Sequence, residues 1–467
     1  MKRFALALAL FYSAYSVAGP IETHLKGVLD EVSAQSCEKT YKDASDYLDG
    51  LKATDYDQEI KKSDAQNVSE MFWNYRMLIQ SKLQSFYKSN NLSKECSVSA
   101  RHILRSLRTG EDLAQDQLRR SAPGTVVFPD DAFAAANSHV RRNKNFSNFH
   151  MVNDLKSGDV ILSRGNAYTS AAISSLGEFD AQFSHLSLVY RDEHDKVWTV
   201  EAHIEVGVFV RTLQEHADDH NFRSMVLRFE DSSLAAKAAK FMFEKAKLAS
   251  ETTGNILYDF GFDPNNNDKL FCSEVVSYAF DQASNGALRV PLFPSRLFER
   301  KEEFVRMLEI EVNESFVPAD LEVDPRFTVI AEWRDAKKIQ NILEKDAVLR
   351  AMFRWNDELH YNLIQSSSWK SLLYRDIAWP LRRVPYLKKY FIKKLPLNMT
   401  RRLIGYFGVL ETVGELLQKQ AIVANELSYA QSGFPLMESD LYKILDDYRI
   451  KDAAKRKKMH HMFRPRR

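Results

Sequence analysis

The chain has 467 residues, 45% of them hydrophobic and 12% aromatic, which is too long for one ordinary core and too apolar for a disordered chain, so two or three folded domains are expected. The formal charge of +2 hides a separation: Lys370 to Arg402 carries ten Lys/Arg and one Asp, Lys451 to Arg467 carries eight and one, and the rest is left at −14. There is no P-loop, no G-x-G-x-x-G and no C-x-x-C spacing, so the motifs argue against nucleotide chemistry and a cysteine-based metal site, and neither a metal nor a cofactor is expected.

Residues 1–18, MKRFALALALFYSAYSVA, read as a signal peptide. Lys2 and Arg3 form a positive start, Phe4 to Tyr12 a short apolar run, and Ser16-Val17-Ala18 a small-residue cleavage site. The run is well short of the ~20 residues of a spanning helix. An exported chain is therefore expected, periplasmic or elsewhere in the cell envelope, with peripheral membrane attachment as one form of that. In an oxidising compartment the three cysteines suggest one pair, Cys37–Cys96, and one free thiol, Cys272; three unpaired cysteines is the alternative.

From 19 to 125 the apolar spacing is helical, strongest in VSEMFWNYRMLIQSKLQSFY (68–87) and weaker in 102–121. A turn at Ala122-Pro123-Gly124 and the polar run RRNKNFSNFH (141–150) punctuate the chain. Between 150 and 335 the pattern changes to short β-rich runs at 159–163, 184–191, 196–202, 206–212, 225–230 and 327–333, with helices predicted at 233–250 and 272–284. Strands and helices are segregated, so the expected class is α+β, an antiparallel sheet packed on helices and flanked by two helical regions. The last region, 336–467, reads as basic and helical, ending in a solvated, disordered tail (455–467). That tail could bind nucleic acid on charge alone, but export argues against it, and no nucleic-acid partner is expected.

Three residues in the β-rich region carry potential chemistry. Cys272 starts a predicted helix, where unsatisfied N–H groups and the positive dipole end favour a thiolate and could hold an oxyanion; a small buried hydrophobe is the alternative at such a position. His185 opens an alternating strand, and Glu201 ends the next strand across a hairpin, so the carboxylate could orient the imidazole. His203, two residues on, shares the Glu201 face and is a weaker candidate for base or orienter.

Five segments, LKSGDVIL (155–162), FSHLSLVY (183–190), TVEAH (199–203), YDFGF (258–262) and LFCSEVV (270–276), occur in an order that resembles the permuted papain-like amidases, circular permutants of the NlpC-type cysteine peptidases. The resemblance covers roughly 150–335. It implies a permuted papain-like fold, with Cys272 as nucleophile, His185 as base, Glu201 as the polar third residue, Tyr258 near the substrate carbonyl and Asp259 as a structural neighbour. Phe271 stands where a tyrosine is common. The implied activity is an exported cysteine hydrolase that cleaves an amide through a thioester, in cell-wall peptides. The alternatives are a lipid acyl hydrolase or acyltransferase at a membrane surface, as in relatives resembling lecithin-retinol acyltransferases, and a non-catalytic cell-envelope binding protein. The basic, aromatic segment 369–407 suits an anionic membrane or cell-wall polymer, or else is a helical subdomain with a solvated face.

Overall fold

The computed structural model describes residues 18–121, 138–219, 221–299, 302–364, 373–381, 384, 386 and 398–465. The expected signal sequence, the 122–124 turn and much of 369–407 lie outside them.

The chain opens with five helices: α1 (Pro20–Leu29), α2 (Cys37–Asp49), α3 (Ala53–Ser63), α4 (Ala65–Lys88) and α5 (Lys94–Ser121). Pro20 stands in the first turn of α1, where its missing N–H costs nothing, and the Asp64 carboxylate caps α4 by accepting from Asn67 N at 2.8 Å. The apolar stripe Val68, Phe72, Ile79, Leu83 and Phe86 of α4 is buried with Ala100, Ile103, Leu104 and Leu107 of α5. A disulfide between Cys37 and Cys96 ties α2 to α5.

The strands are β1 (Ser138–Arg142), β2 (Val160–Arg164), β3 (His185–Arg191), β4 (Val197–His203), β5 (Gly207–Thr212) and β6 (Arg223–Phe229), with a minor pair β7 (Ser295–Arg296) and β8 (Glu314–Ser315), then β9 (Phe327–Asp335). Seven of them form one antiparallel sheet in the order β1-β9-β6-β2-β3-β4-β5. The alternation in each strand divides the sheet into two buried faces. Val160, Leu162, Leu186, Leu188, Val200, Met225 and Leu227 pack against α9 (Ser232–Thr252) and α10 (Cys272–Ala283), whose Ala235, Ala239, Met242, Val275, Val276 and Phe280 are buried there. Ile161, Val189, Val226, Ile330 and Trp333 form the core of the other face.

Two sequence expectations are corrected. The polar run after 140 was read as punctuation, yet Ser138–Arg142 is an edge strand on β9, with Val140 opposite Trp333; a single buried apolar residue leaves no alternating signal. The tail read as disordered is ordered through Pro465: a short helix, Lys458–Met462, leads into β11 (Phe463–Pro465), which pairs with β10 (Tyr361–Leu363). Met459, Met462 and Phe463 are buried, and Phe463 lies 5.2 Å from Tyr361, ring to ring. Burial of these three outweighs the surrounding charge. Long helices Ile339–Leu359, Arg401–Ser432 and Glu438–Ala454 complete this region. Among the described residues no helix is long and apolar enough to cross a membrane.

Candidate active site

Helix α10 begins at Cys272 because Phe271 is extended, and because Glu274, three residues on, turns back to accept from Phe271 N at 3.0 Å. Half of the usual reciprocal cap is missing, since Phe271 has no side-chain acceptor for the first-turn amides. The Leu186 peptide of β3 most, then the Ser273 side chain and the Ser273 and Cys272 peptides, favour the ionised form of the Cys272 sulfur. The thiol thus sits where the start of α10 meets the start of β3, one residue along from His185, and is buried. No hydrogen bond joins it to the His185 ring among the described residues.

His185 lies on the sheet face of Glu201: Ser187 is opposite Glu201 in the β3–β4 register, and His185 is two residues before it. Its Nε2–H donates to Glu201 Oε2 at 2.9 Å, which leaves Nδ1 as the ring's lone pair. Glu201 is fully buried and saturated. Oε2 also accepts from His203 Nε2 at 3.1 Å and Arg211 Nη2 at 2.8 Å. Oε1 accepts from Thr199 Oγ1, from Arg211 Nε at 2.9 Å and from His216 Nδ1 at 2.8 Å. Arg211 and His216 were missed from sequence. Pairing of β4 with β5 sets Arg211 opposite Thr199, on the Glu201 face, so hairpin alternation held a signal for Arg211. His216 arrives on the short helix Leu213–Ala217, capped by Thr212, and no local pattern points it inward.

Burial dominates the titration of the site. Burial pushes the Cys272 thiol up to about 11, and the Leu186 peptide, the Ser273 side chain and the Ser273 and Cys272 peptides only partly offset it. Burial thus works against the thiolate that the helix position favours. Burial likewise pushes His185 down to about 4, against the pull of its bond to Glu201. Burial alone would raise Glu201, but His216, His185 and His203 hold it well below its usual value. These shifts favour a neutral thiol and a neutral imidazole beside an ionised carboxylate.

Tyr258 is buried, and burial, with Cys272 and Glu274 nearby, pushes its hydroxyl well above its usual value. Its carbonyl accepts from Asn398 Nδ2 at 2.6 Å. Asp259 is a local brace, accepting from Gly261 N at 3.0 Å and Asp263 N at 2.8 Å. Burial pushes Glu274 up to about 9, with Asp259 and Asp263 adding to the rise. The described residues include two groups whose ligand atoms lie close enough to hold a cation: His185, Glu201 and His203, and Glu201, His216 and Asp219.

A carboxylate-oriented histidine on a strand and a cysteine at the start of the helix packed on it are the groups that a thiol hydrolase uses. Residues 154–331 match the family of the permuted papain-like amidase enzymes (YaeF/YiiX, C92 family). The amidase match includes Cys272, His185, Glu201 and Tyr258 and extends from just before β2 into β9. It supports a hydrolase built on a mixed helix and antiparallel-sheet domain. The helices on either side of that segment lie outside the match. The chain matches no curated protein and no solved structure.

Proposed function

We propose that this protein is an exported cysteine hydrolase that cleaves amide bonds in cell-wall peptides through a thioester on Cys272. The observation that carries the reading is Cys272 at the start of α10, packed on the strand that opens with His185, whose imidazole tautomer is fixed by Glu201. With Nε2–H committed to the carboxylate, Nδ1 is the atom that takes the thiol proton. Because the thiol titrates high and the imidazole low, the proton moves as the sulfur attacks, not beforehand. A bound substrate draws thiol and ring together, as catalytic contacts that are long in an empty site often tighten in the complex. The N–H groups of Cys272 and Ser273 then hold the oxyanion. The imidazolium gives its proton to the leaving amine, and water, deprotonated by the same Nδ1, releases the acyl group.

An acyl lipid is the second reading, and one surface favours it. Leu373, Ile377, Val384 and Tyr386 are exposed, and Arg401 and Arg402 are exposed at the start of the helix that packs on the Leu373–Ala378 turn. Asn398 in the preceding loop holds Tyr258 beside the thiol, so such a surface would deliver a lipid to the site.

A thiol-directed amidase probe is expected to label the wild-type protein and not Cys272→Ala. Equal labelling of both would remove Cys272 as the nucleophile. Mass spectrometry of peptidoglycan and of phospholipids, each incubated with the protein, separates the substrates: released stem peptides support the first reading and released fatty acids the second. Turnover of neither, with intact fold, would favour a binding protein.

A further inference from the structure

The Glu201 carboxylate has a buried end and a solvent-side end. Oε1 is enclosed by Thr199, Arg211 Nε and the fully buried His216. Oε2 faces the two partly exposed imidazoles, His185 with 17% and His203 with 28% of the side chain accessible. Both present Nε2 to that single oxygen, at 2.9 and 3.1 Å, and the rings meet edge to face with centroids 4.9 Å apart. Zinc binds imidazole nitrogen and carboxylate oxygen at ~2.0–2.2 Å, so the ligand atoms of a tetrahedral ion stand about 3.3 Å from one another. The spacing from Oε2 to each nitrogen is already near that value. Arg211 does not bar the ion: it can release Oε2 and remain anchored through Nε on Oε1 and through its ion pair with Asp219.

We infer that His185, His203 and Glu201 form an inhibitory site for a divalent zinc-class cation, with the fourth position open to water. The second group is a poorer site, because His216 is sealed from solvent and the Asp219 carboxylate is already engaged by Arg211. Inhibition follows from the tautomer. An ion on Nε2 of His185 takes the lone pair where the N–H was, and the ring's proton moves to Nδ1. The nitrogen that must accept the thiol proton then carries one of its own, and the base is disabled with no covalent change. The inhibitory part rests on the hydrolase reading above; the binding part does not.

Calorimetric titration of zinc chloride into the full-length, metal-free protein tests binding. One equivalent is expected in the wild type and in Cys272→Ala, with binding at least about a hundredfold weaker in His203→Asn and His203→Gln, since losing a ligand should cost no less than losing its supporting partner. Undiminished binding in both His203 variants, or no binding by the wild type, overturns the site. Loss in Cys272→Ala would move it to the thiol, and loss in Asp219→Asn with the His203 variants unaffected would move it to the second group; either result overturns the assignment. The rate at which iodoacetamide alkylates Cys272 is then followed against zinc concentration. Slowing with the calorimetric midpoint, absent in His203→Asn, supports inhibition through His185. An unchanged rate at saturating zinc overturns inhibition and leaves only the site.

Discussion

At the thiol, two effects of similar origin act in opposite directions. The Leu186 peptide, the Ser273 side chain and the first peptides of α10 favour the Cys272 anion, while burial removes water from the sulfur, and burial wins. Burial therefore disfavours a standing thiolate–imidazolium pair at rest. We expect alkylation of Cys272 by iodoacetamide to keep rising toward pH 11 instead of levelling off near pH 9; a plateau at neutral pH would mean that a thiolate is already present. The acid side is set by His185, which must be neutral to act: with burial pushing it down to about 4, kcat/KM should hold through pH 6 and fall only near pH 4. Glu274 supplies a separate test. Its carboxyl is raised by burial from an ordinary 4.5 to about 9, so the folded protein binds this proton more tightly than the unfolded chain does. Its stabilising contribution is complete below pH 4.5 and is lost as pH rises toward 9. Glu274→Gln, which keeps a neutral acceptor for Phe271 N, should flatten urea-unfolding stability across that window, and a variant with the wild-type slope would show that Glu274 ionises normally.

Elements meet here through buried ions as well as through apolar contacts. Arg76 on α4 donates to Glu111 at 2.9 Å and also pairs with Glu332 on β9 and with Glu322, all of them buried. Arg334 on β9 returns to Glu111 at 2.6 Å and Asp112 at 3.1 Å on α5, and Arg223 on β6 reaches Asp112 at 2.6 Å. Removing one member leaves its partners charged and dry, so Arg76→Ala should lose about 3–5 kcal/mol in urea unfolding. Lys39→Ala, which breaks an exposed i,i+4 pair with Asp43, should lose less than about 1 kcal/mol. Comparable losses in the two variants would deny the network its role. None of this was legible in the sequence, because buried arginines in α4, β6 and β9 have the same hydrophobic pattern as exposed ones. The central strands were legible for the opposite reason: β2, β3, β4 and β9 alternate or run apolar, and a one-residue slip would expose a core face. The same alternation put His185 and Glu201 on one face, and the order of five short motifs made Cys272 their companion. What sequence could not give was His216, brought to Glu201 by a five-residue helix whose inward side chain obeys no period.

Across the whole molecule, chain length suggested separable domains, yet the ion network makes separation expensive. Parting the five N-terminal helices from the sheet would leave Arg76, Arg223, Arg334, Glu111, Asp112 and Glu332 to be rehydrated together, and no partly unfolded state could keep half of these contacts at half the penalty. The helices and the sheet should therefore unfold as one unit, although most of their apolar residues fall in separate clusters. The disulfide provides the lever. Cys37 and Cys96 are 59 residues apart, and closing a loop of that length restricts the unfolded chain by about 4 kcal/mol on the loop-entropy relation. If the N-terminal helices were an independent domain, the double substitution Cys37→Ser with Cys96→Ser would lower the stability of those helices alone. Coupled through the buried ions, the loss should be felt by the sheet as well. We expect hydrogen exchange of the central β2 and β3 amides to quicken in the double variant by the factor that about 4 kcal/mol implies, on the order of a thousandfold, together with those of α4 and α5. Faster exchange confined to the helices, with β2 and β3 unchanged, would mean that the ions do not bind the two regions into one cooperative structure.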